Sequence, residues 1–321
     1  MDLIFCGTPE FAVPTLSKLV SAGHEVQLVV TQPDRPRGRG MELAISPVKR
    51  QALELGLTIT QPEKIKENQE FRARLEAITP EAIVVVGYGR IIPGWMLELP
   101  KHGNINLHAS LLPKYRGAAP IQWAIARGET VTGVTTMLLD AGLDTGDILL
   151  QEELVIASDE TAPMLAPRLA EIGANLMLET LRGLASATII PRPQKDDEAT
   201  LAPILRKQDG RVDFQHSAQE IFNRLRGFQP WPGAYTSFRG KNLTLYSGSP
   251  HSDSVSVAKA DTGPLAPGML ALAGDLLLVG CGNGSAFQIQ ELQLEGKRRM
   301  SAREFINGYR LQPGEKLGEP A

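Results

Sequence analysis

The sequence predicts an α/β fold, with a doubly wound parallel sheet in an N-terminal domain and a small C-terminal β-barrel of the OB type. Three observations carry this. Short apolar, β-branched runs alternate with amphipathic stretches through the first 190 residues, the order of a parallel sheet covered by helices. The run Ala82-Ile83-Val84-Val85-Val86 is apolar at every position, as a central strand buried on both faces must be. Beyond residue 208 the text changes to short strand-like runs broken by Gly and Asn.

Taken in order, Leu3 to Cys6 reads as a buried strand that breaks at Gly7-Thr8-Pro9. A helix follows, with Pro14 near its start, Leu16, Leu19 and Val20 on one face, and Gly23 as its left-handed stop. Glu25–Val30, Asn104–Ala109 and Gly133–Leu139 are further strands; Ala119–Arg127 and the stretch after Thr161 are helices. Pro167 should start, kink or shorten the latter. Residues 1–189 form the first domain. Residues 190–208, with Pro191, Pro193 and Pro203 around Lys195-Asp196-Asp197-Glu198, read as an extended linker. The second domain, 209–321, opens with a helix over Ser217–Arg226. Strands then follow at Ala234–Phe238, Asn242–Tyr246, Ser254–Ala258, Met269–Leu272, Leu276–Val279 and Phe287–Leu292.

Composition narrows the class. A length of 321 residues suggests two domains at ~150 residues each. With 42% apolar and 21% charged residues the chain is no disordered polyelectrolyte. Cys6 and Cys281 are too few for a disulfide framework, which fits a reducing, cytoplasmic setting. The N-terminus lacks the basic and apolar regions of a signal peptide, and no apolar run approaches the ~20 residues that span a bilayer, so no membrane partner is expected. Net charge is −3, which excludes a globally basic surface and leaves room for a local basic patch. No coiled-coil seam is visible, and a monomer is expected.

The chemistry concentrates in Asn104-Ile105-Asn106-Leu107-His108-Ala109-Ser110. Alternate strand residues share a face, so Asn104, Asn106, His108 and Ser110 line up together. A core strand rarely gives one face to hydrogen-bonding groups, because each one left unsatisfied costs ~1–3 kcal/mol. The row is therefore read as a cleft wall, in preference to a solvated edge strand. Ligand crevices of open α/β sheets lie beyond the carboxyl ends of the strands. Gly7-Thr8-Pro9, Gly87-Tyr88-Gly89, Ser110 to Pro113 and the Asp140–Asp147 loop are expected to converge there. Asp144 is the expected carboxylate partner of His108, although an Asp-rich turn by itself is usually only turn chemistry.

Rival chemistries fail on spacing. Gly87-x-Gly89 meets Ile92 where a dinucleotide fingerprint needs glycine, and there is no P-loop or nucleophile elbow. The five histidines have no metal-ligand spacing, and the Asp140–Asp147 loop lacks the calcium-hand pattern. Neither a metal nor a nucleotide cofactor is expected. What remains is Asn, His and Asp, suited to polarising a carbonyl and moving a proton while an external nucleophile attacks. A second feature is Thr31 to Gly40, a long structureless loop carrying Arg35, Arg37 and Arg39. Alone it would be a solvated surface loop. Lys297-Arg298-Arg299 on the barrel adds weight to a polyanion contact.

These residues together resemble the methionyl-tRNA formyltransferase family, over nearly the whole chain. The motifs are Phe5-x-Gly7-Thr8-Pro9-x-Phe11, the Thr31–Gly40 loop, Val85-Val86-x-Tyr88-Gly89, Asn106-x-His108-x-Ser110-Leu111-Leu112-Pro113, Arg116 to Gln122, and Gly142 to Asp147. The Asn-x-His, Ser-Leu-Leu-Pro and late Asp set marks the wider group that uses 10-formyltetrahydrofolate. The arginine loop and a C-terminal barrel entered through Trp231-Pro232 mark its tRNA-acting branch.

The resemblance implies that Asn106 and His108 hold the formyl oxygen and that Asp144 sets the protonation of His108. Ser110, Leu111, Leu112 and Pro113, the backbone of Gly87, Tyr88, Gly89 and Arg90, and Asp140 would line the folate site. Arg35, Arg37, Arg39, Lys297, Arg298 and Arg299 would contact initiator methionyl-tRNA. Met41-Glu42 stand where lysines are expected, which predicts a weaker hold on the tRNA. The rivals are a folate-dependent hydrolase or small-molecule formyltransferase, in which the arginine loop would have no purpose, and a non-catalytic RNA-binding protein.

Overall fold

The computed structural model describes residues 1–37, 42–251 and 265–319, with residues 37 and 42 by backbone alone. In chain order the elements begin β1 (Asp2–Gly7), α1 (Val13–Ser21), β2 (Glu25–Val30), β3 (Arg35–Arg37), β4 (Glu42–Ala44), α2 (Pro47–Glu54) and β5 (Ile59–Thr60). They continue α3 (Gln69–Ile78), β6 (Ala82–Val86), α4 (Gly94–Leu97), β7 (Asn104–His108), α5 (Pro120–Ala126), β8 (Val131–Leu138), β9 (Ile148–Val155) and α6 (Ala162–Ala185). The last third holds α7 (Ala218–Gly227), β10 (Ala234–Phe238), β11 (Lys241–Pro250), β12 (Leu270–Ala273), β13 (Leu276–Gly280), β14 (Ala286–Leu294), β15 (Met300–Ser301) and α8 (Ala302–Tyr309). Two compact units result, and no single cut in the sequence separates them. One comprises residues 1–120, 131–155 and 164–203, the other 121–130, 156–163 and 204–321.

The first unit is built on a seven-stranded sheet in the order β5-β2-β1-β6-β7-β8-β9. Five strands are parallel, as expected, and β6 is buried at every position. One strand opposes them: β8 runs antiparallel to β7, and β9, antiparallel to β8, points the same way as the first five. For the β8–β9 pair the reason is connection length. Only residues 139–147 join β8 to β9, too few for the dozen or more residues of a parallel crossover. Helices cover both faces. Phe71 and Leu75 of α3 and Met96 of α4 join Ile4, Cys6, Ile83 and Val85 in one core layer. On the other face α6 lies close to β7, where a Cβ on Gly173 would sit 2.7 Å from Leu107 Cδ2. This helix continues through Pro167.

The arginine loop departs from expectation. Its flanks pair as a two-stranded hairpin, β3 with β4, Arg35 opposite Ala44 and Arg37 opposite Glu42. Asp34 anchors the base, taking Lys49 Nζ at 2.5 Å and Gln61 Nε2 at 2.7 Å. These partners, Lys49 first, hold its carboxyl below the usual carboxylate range. Arg39 and the Arg37 side chain lie outside the described residues. Residues 190–203 are tied to the first unit: Arg192 and Ile148 exchange backbone bonds, and Leu201 bridges Arg116.

The second unit is an antiparallel sheet, β10-β11-β14-β13-β12, with β15 on β14. Among the described residues β10 and β12 are not paired with each other. The strand expected at Ser254–Ala258 lies outside the described residues. α7 and α8 open on capping boxes, Ser217 with Glu220 and Ser301 with Glu304, which satisfy orphan N–H groups of the first turn. The expected helix over Ser217–Arg226 is thus found one residue later, and α8 is an addition to it. Phe305 of α8 meets Phe238 edge-on at 5.1 Å in the core. Among the described residues no helix is long and apolar enough to cross a membrane.

Candidate active site

The strand β7 separates its two faces as the alternation predicts. Leu107 meets α6, while Asn104, Asn106 and His108 face the other way and are all at least nine-tenths buried. The row nevertheless divides. Asn104 Nδ2 donates to the carbonyls of Met96 and Leu97, at 2.8 and 3.1 Å, and so fixes α4. Ser110 lies beyond the strand end, fully buried, its hydroxyl donating to Lys114 O at 2.6 Å. The cleft wall expected of four residues is thus left to two. The Asn106 carboxamide, 8% exposed, has no hydrogen-bond partner among the described residues.

His108 Nε2 lies 2.9 Å from Tyr115 O. A carbonyl only accepts, so Nε2 carries the proton, and in the neutral ring Nδ1 holds the lone pair. Nδ1 faces Asp144 Oδ2 at 3.6 Å. Two acceptors in opposition leave room for one more proton, which is what a site receiving a proton from a reacting amine requires.

The loop bearing Asp144 does not begin where expected. Because β8 is antiparallel, its last residue, Leu138, pairs with Ile105, three residues before His108. The loop must travel back about 10 Å along β7, at ~3.3 Å per residue, to bring Asp144 to His108. Asp144 sits there at φ +53°, with Oδ2 accepting from Gly117 N at 2.8 Å. Gly117 itself is at φ +122°, and a Cβ would lie 2.6 Å from Ala202 O, so only glycine fits. Asp140, expected at the folate site, accepts from the Thr145 hydroxyl at 2.8 Å and Gly142 N at 3.0 Å, bracing its own loop.

The other expected wall residues form two turns. Leu112 is buried, its N–H donating to Thr135 Oγ1 at 3.1 Å, and the Leu112–Pro113 peptide is cis. Leu111 is half-buried. Thr135 also donates to Ser110 O at 2.7 Å and receives Gln151 Nε2 at 3.0 Å. At the end of β6, Gly87 and Gly89 take positive φ. The Tyr88 ring packs in the core with its hydroxyl unpartnered, and burial pushes that phenol's pKa up. Only its backbone can face a ligand: Tyr88 O accepts from Gln32 Nε2 at 3.0 Å. Arg90 is held by Gln32 and by Glu63 O. Sequence reasoning missed Thr135, Gln151 and Gln32. Thr135 carried the signal applied to Asn106, a polar residue on an internal strand.

The basic run of the second unit behaves otherwise. Arg298 pairs with Glu304 at 2.6 Å, and Arg299 pairs with Glu291 and lies 4.4 Å over the Tyr246 ring. The Lys297 ammonium has no ion-pair partner among the described residues.

Residues 1–181 match the family model described as Formyl transferase, and residues 204–310 the one described as Formyl transferase, C-terminal domain. The chain belongs to the formyl transferase family. It is 63% identical over 318 residues to the methionyl-tRNA formyltransferase of Koribacter versatilis, covering 99% of both chains. It is 59% identical to that of Acidobacterium capsulatum, covering 99% of this chain and 100% of the relative. The sugar 3N-formyl transferase WlaRD, solved with dTDP and 5-N-formyl-THF, shares the fold at a TM-score of 0.66 and 17% identity, over 93% of this chain and 99% of that one.

Proposed function

We propose that this chain transfers the formyl group of 10-formyltetrahydrofolate to the α-amino group of methionine on initiator methionyl-tRNA, the step that readies that tRNA for translation initiation. The observation that carries the catalytic reading is the His108–Asp144 pair standing beside an unpartnered, nearly buried carboxamide. A carboxamide without a protein partner fits an acyl oxygen. Folate supplies the activated formyl group, and the chain's own groups do the rest. Asn106 Nδ2 donates to the formyl oxygen as negative charge gathers there. Because Nε2 is held by Tyr115, the proton leaving the amine goes to His108 Nδ1, and Asp144 favours the cation so formed. The amine–carbon bond forms as the carbon–N10 bond breaks, and the proton on Nδ1 returns to the departing nitrogen.

The folate wall comprises Leu111, Leu112 and Pro113, on the turn that buried Ser110 holds, with the backbone of Gly87 to Arg90. Asp140 acts by bracing the facing loop. Catalysis is assigned to residues 1–189, with 190–203 attached to the same unit, and tRNA capture to 209–321 together with Arg35, Arg37 and Arg39. Lys297, Arg298 and Arg299 add phosphate contacts. The protein acts as a monomer in the cytoplasm, where its two buried thiols stay reduced. The named relatives disfavour the hydrolase and small-molecule readings.

One assay decides among these readings. Protein incubated with 10-formyltetrahydrofolate and methionyl-tRNA should yield formyl-methionyl-tRNA, with no transfer to uncharged tRNA or free small amines. Transfer to water or small amines alone would overturn the proposal.

A further inference from the structure

Gln194 lies in the proline-rich stretch that reads as a linker, yet its side chain is committed at every polar position to the neighbourhood of Asp144. Nε2 donates to Asp144 O and to Gly146 O, both at 2.8 Å, and Oε1 accepts from Arg116 Nε at 3.0 Å. Both amide hydrogens thus hold the loop carrying the carboxylate, and the oxygen is oriented by a guanidinium. Arg116 is itself 6% exposed, with Nη1 on Asp196 Oδ1 at 2.9 Å.

From this we infer that Gln194 is a positioning residue for the formyl transfer, setting the distance between Asp144 and His108. The inference rests on the catalytic reading of that pair. Two anchors define Asp144: Gly117 N on its carboxylate and Gln194 on its backbone. The turn that contributes Gly117 also contributes Tyr115 O, which holds the far side of the imidazole. Residues 192–202 stitch this turn to the Asp144 loop. Arg116 N donates to Thr200 O at 2.9 Å, Ala202 N to Arg116 O at 2.7 Å, and Tyr115 N to Thr200 Oγ1 at 2.9 Å. At the other end Arg192 and Ile148 exchange two backbone bonds, at 2.8 and 2.9 Å. Gln194 lies between these attachments and is the side chain that spans from the turn to the loop.

The need for such a brace is local. Asp144 takes a left-handed φ in a glycine-punctuated loop that must reach back along β7. Its oxygen stands 3.6 Å from Nδ1, beyond ordinary hydrogen-bond distance. Small displacements there decide whether the carboxylate supports the imidazolium, and a shift near 1 Å can cost on the order of 10²-fold in rate.

The test is a mutant cycle read by steady-state kinetics. Gln194→Ala should lower kcat by about 10- to 100-fold, with KM for both substrates within about threefold and a melting temperature close to the parent's. Gln194→Met, which keeps the volume and loses the hydrogen bonds, should do the same and stands in if the alanine variant does not fold. In an Asp144→Ala background either change should cost less than about twofold, because its effect passes through the missing carboxylate. A kcat within about twofold of the parent for both variants, beside an impaired Asp144→Ala, would overturn the inference alone. So would an undiminished loss in the double variant. Near-normal turnover of Asp144→Ala would overturn the catalytic reading, and the inference with it.

Discussion

The strand carrying Asn106 and His108 and the run Lys297-Arg298-Arg299 are both clusters of polar residues, and the structure treats them in opposite ways. On β7 the polar groups are buried, and the Asn106 carboxamide makes no side-chain hydrogen bond among the described residues. In the second unit the arginines are exposed and already paired with Glu304 and Glu291. The Asn106 carboxamide stands free on the strand face it shares with His108, whose ring faces Asp144, whereas the unpartnered Tyr88 hydroxyl and Asn104 Oδ1 are shut into the core. An exposed arginine with a carboxylate neighbour has reached a satisfied state in water, where such a pair contributes only ~0–1 kcal/mol. Unmet valence on the same strand face as an imidazole–carboxylate pair locates chemistry better than exposed charge does.

The largest effect that would break this comparison is catalytic. Asn106→Ala and His108→Ala should each reduce kcat by about 10²–10³, with circular dichroism unchanged, as for loss of one oxyanion donor or proton acceptor. Near-parent turnover in Asn106→Ala would mean that its free carboxamide meets nothing in the reaction. Next comes the wall that holds the Ser110–Pro113 turn. Thr135→Val removes the acceptor of Leu112 N and the donor to Ser110 O, both buried. It should cost about 1–3 kcal/mol in urea unfolding and raise KM for the folate.

A third prediction concerns the hairpin base. The Asp34 carboxyl is held below its ordinary value, chiefly by Lys49 and then by Gln61. The unfolded chain therefore binds the proton more readily, and the stabilisation is present above about pH 4 and fades as the pH falls through the lowered value. The stability gap between the parent and Asp34→Asn should accordingly narrow on acidification from about pH 6 to pH 2, as urea titrations would measure. The smallest effects belong to the paired arginines. Arg298→Ala and Arg299→Ala should each change kcat/KM for methionyl-tRNA by less than about threefold. Lys297→Ala should lower the log–log salt slope of tRNA binding by about 1, and Arg39→Ala should weaken use of the charged tRNA while leaving folate affinity intact.

Much of this was legible in the primary structure, and the exceptions share a cause. The all-apolar run at 82–86, the helix opening at Ser217 and the Asn106/His108 alternation are local patterns, which the backbone converts directly into strand, helix and face. Other features were set by groups distant in sequence. Asn104 and Ser110 match Asn106 in pattern, but α4 takes up the Asn104 amide nitrogen and the Lys114 carbonyl the Ser110 hydroxyl, while Asn104 Oδ1 stays buried without a partner. Gln194, in a stretch with the composition of a linker, is drawn into the site by the attachments at Arg192 and Leu201.

The order of residues was sufficient to determine the sheet of alternating strands and helices, the polar face of β7 and the residue types that meet there. It could not determine that β8 runs backwards, that its loop doubles back to His108, or which polar side chains remain unpartnered. Periodicity depends on neighbours a few bonds away. Satisfaction of a hydrogen bond depends on whatever the fold brings within 3 Å, and that is decided only when the whole chain has packed.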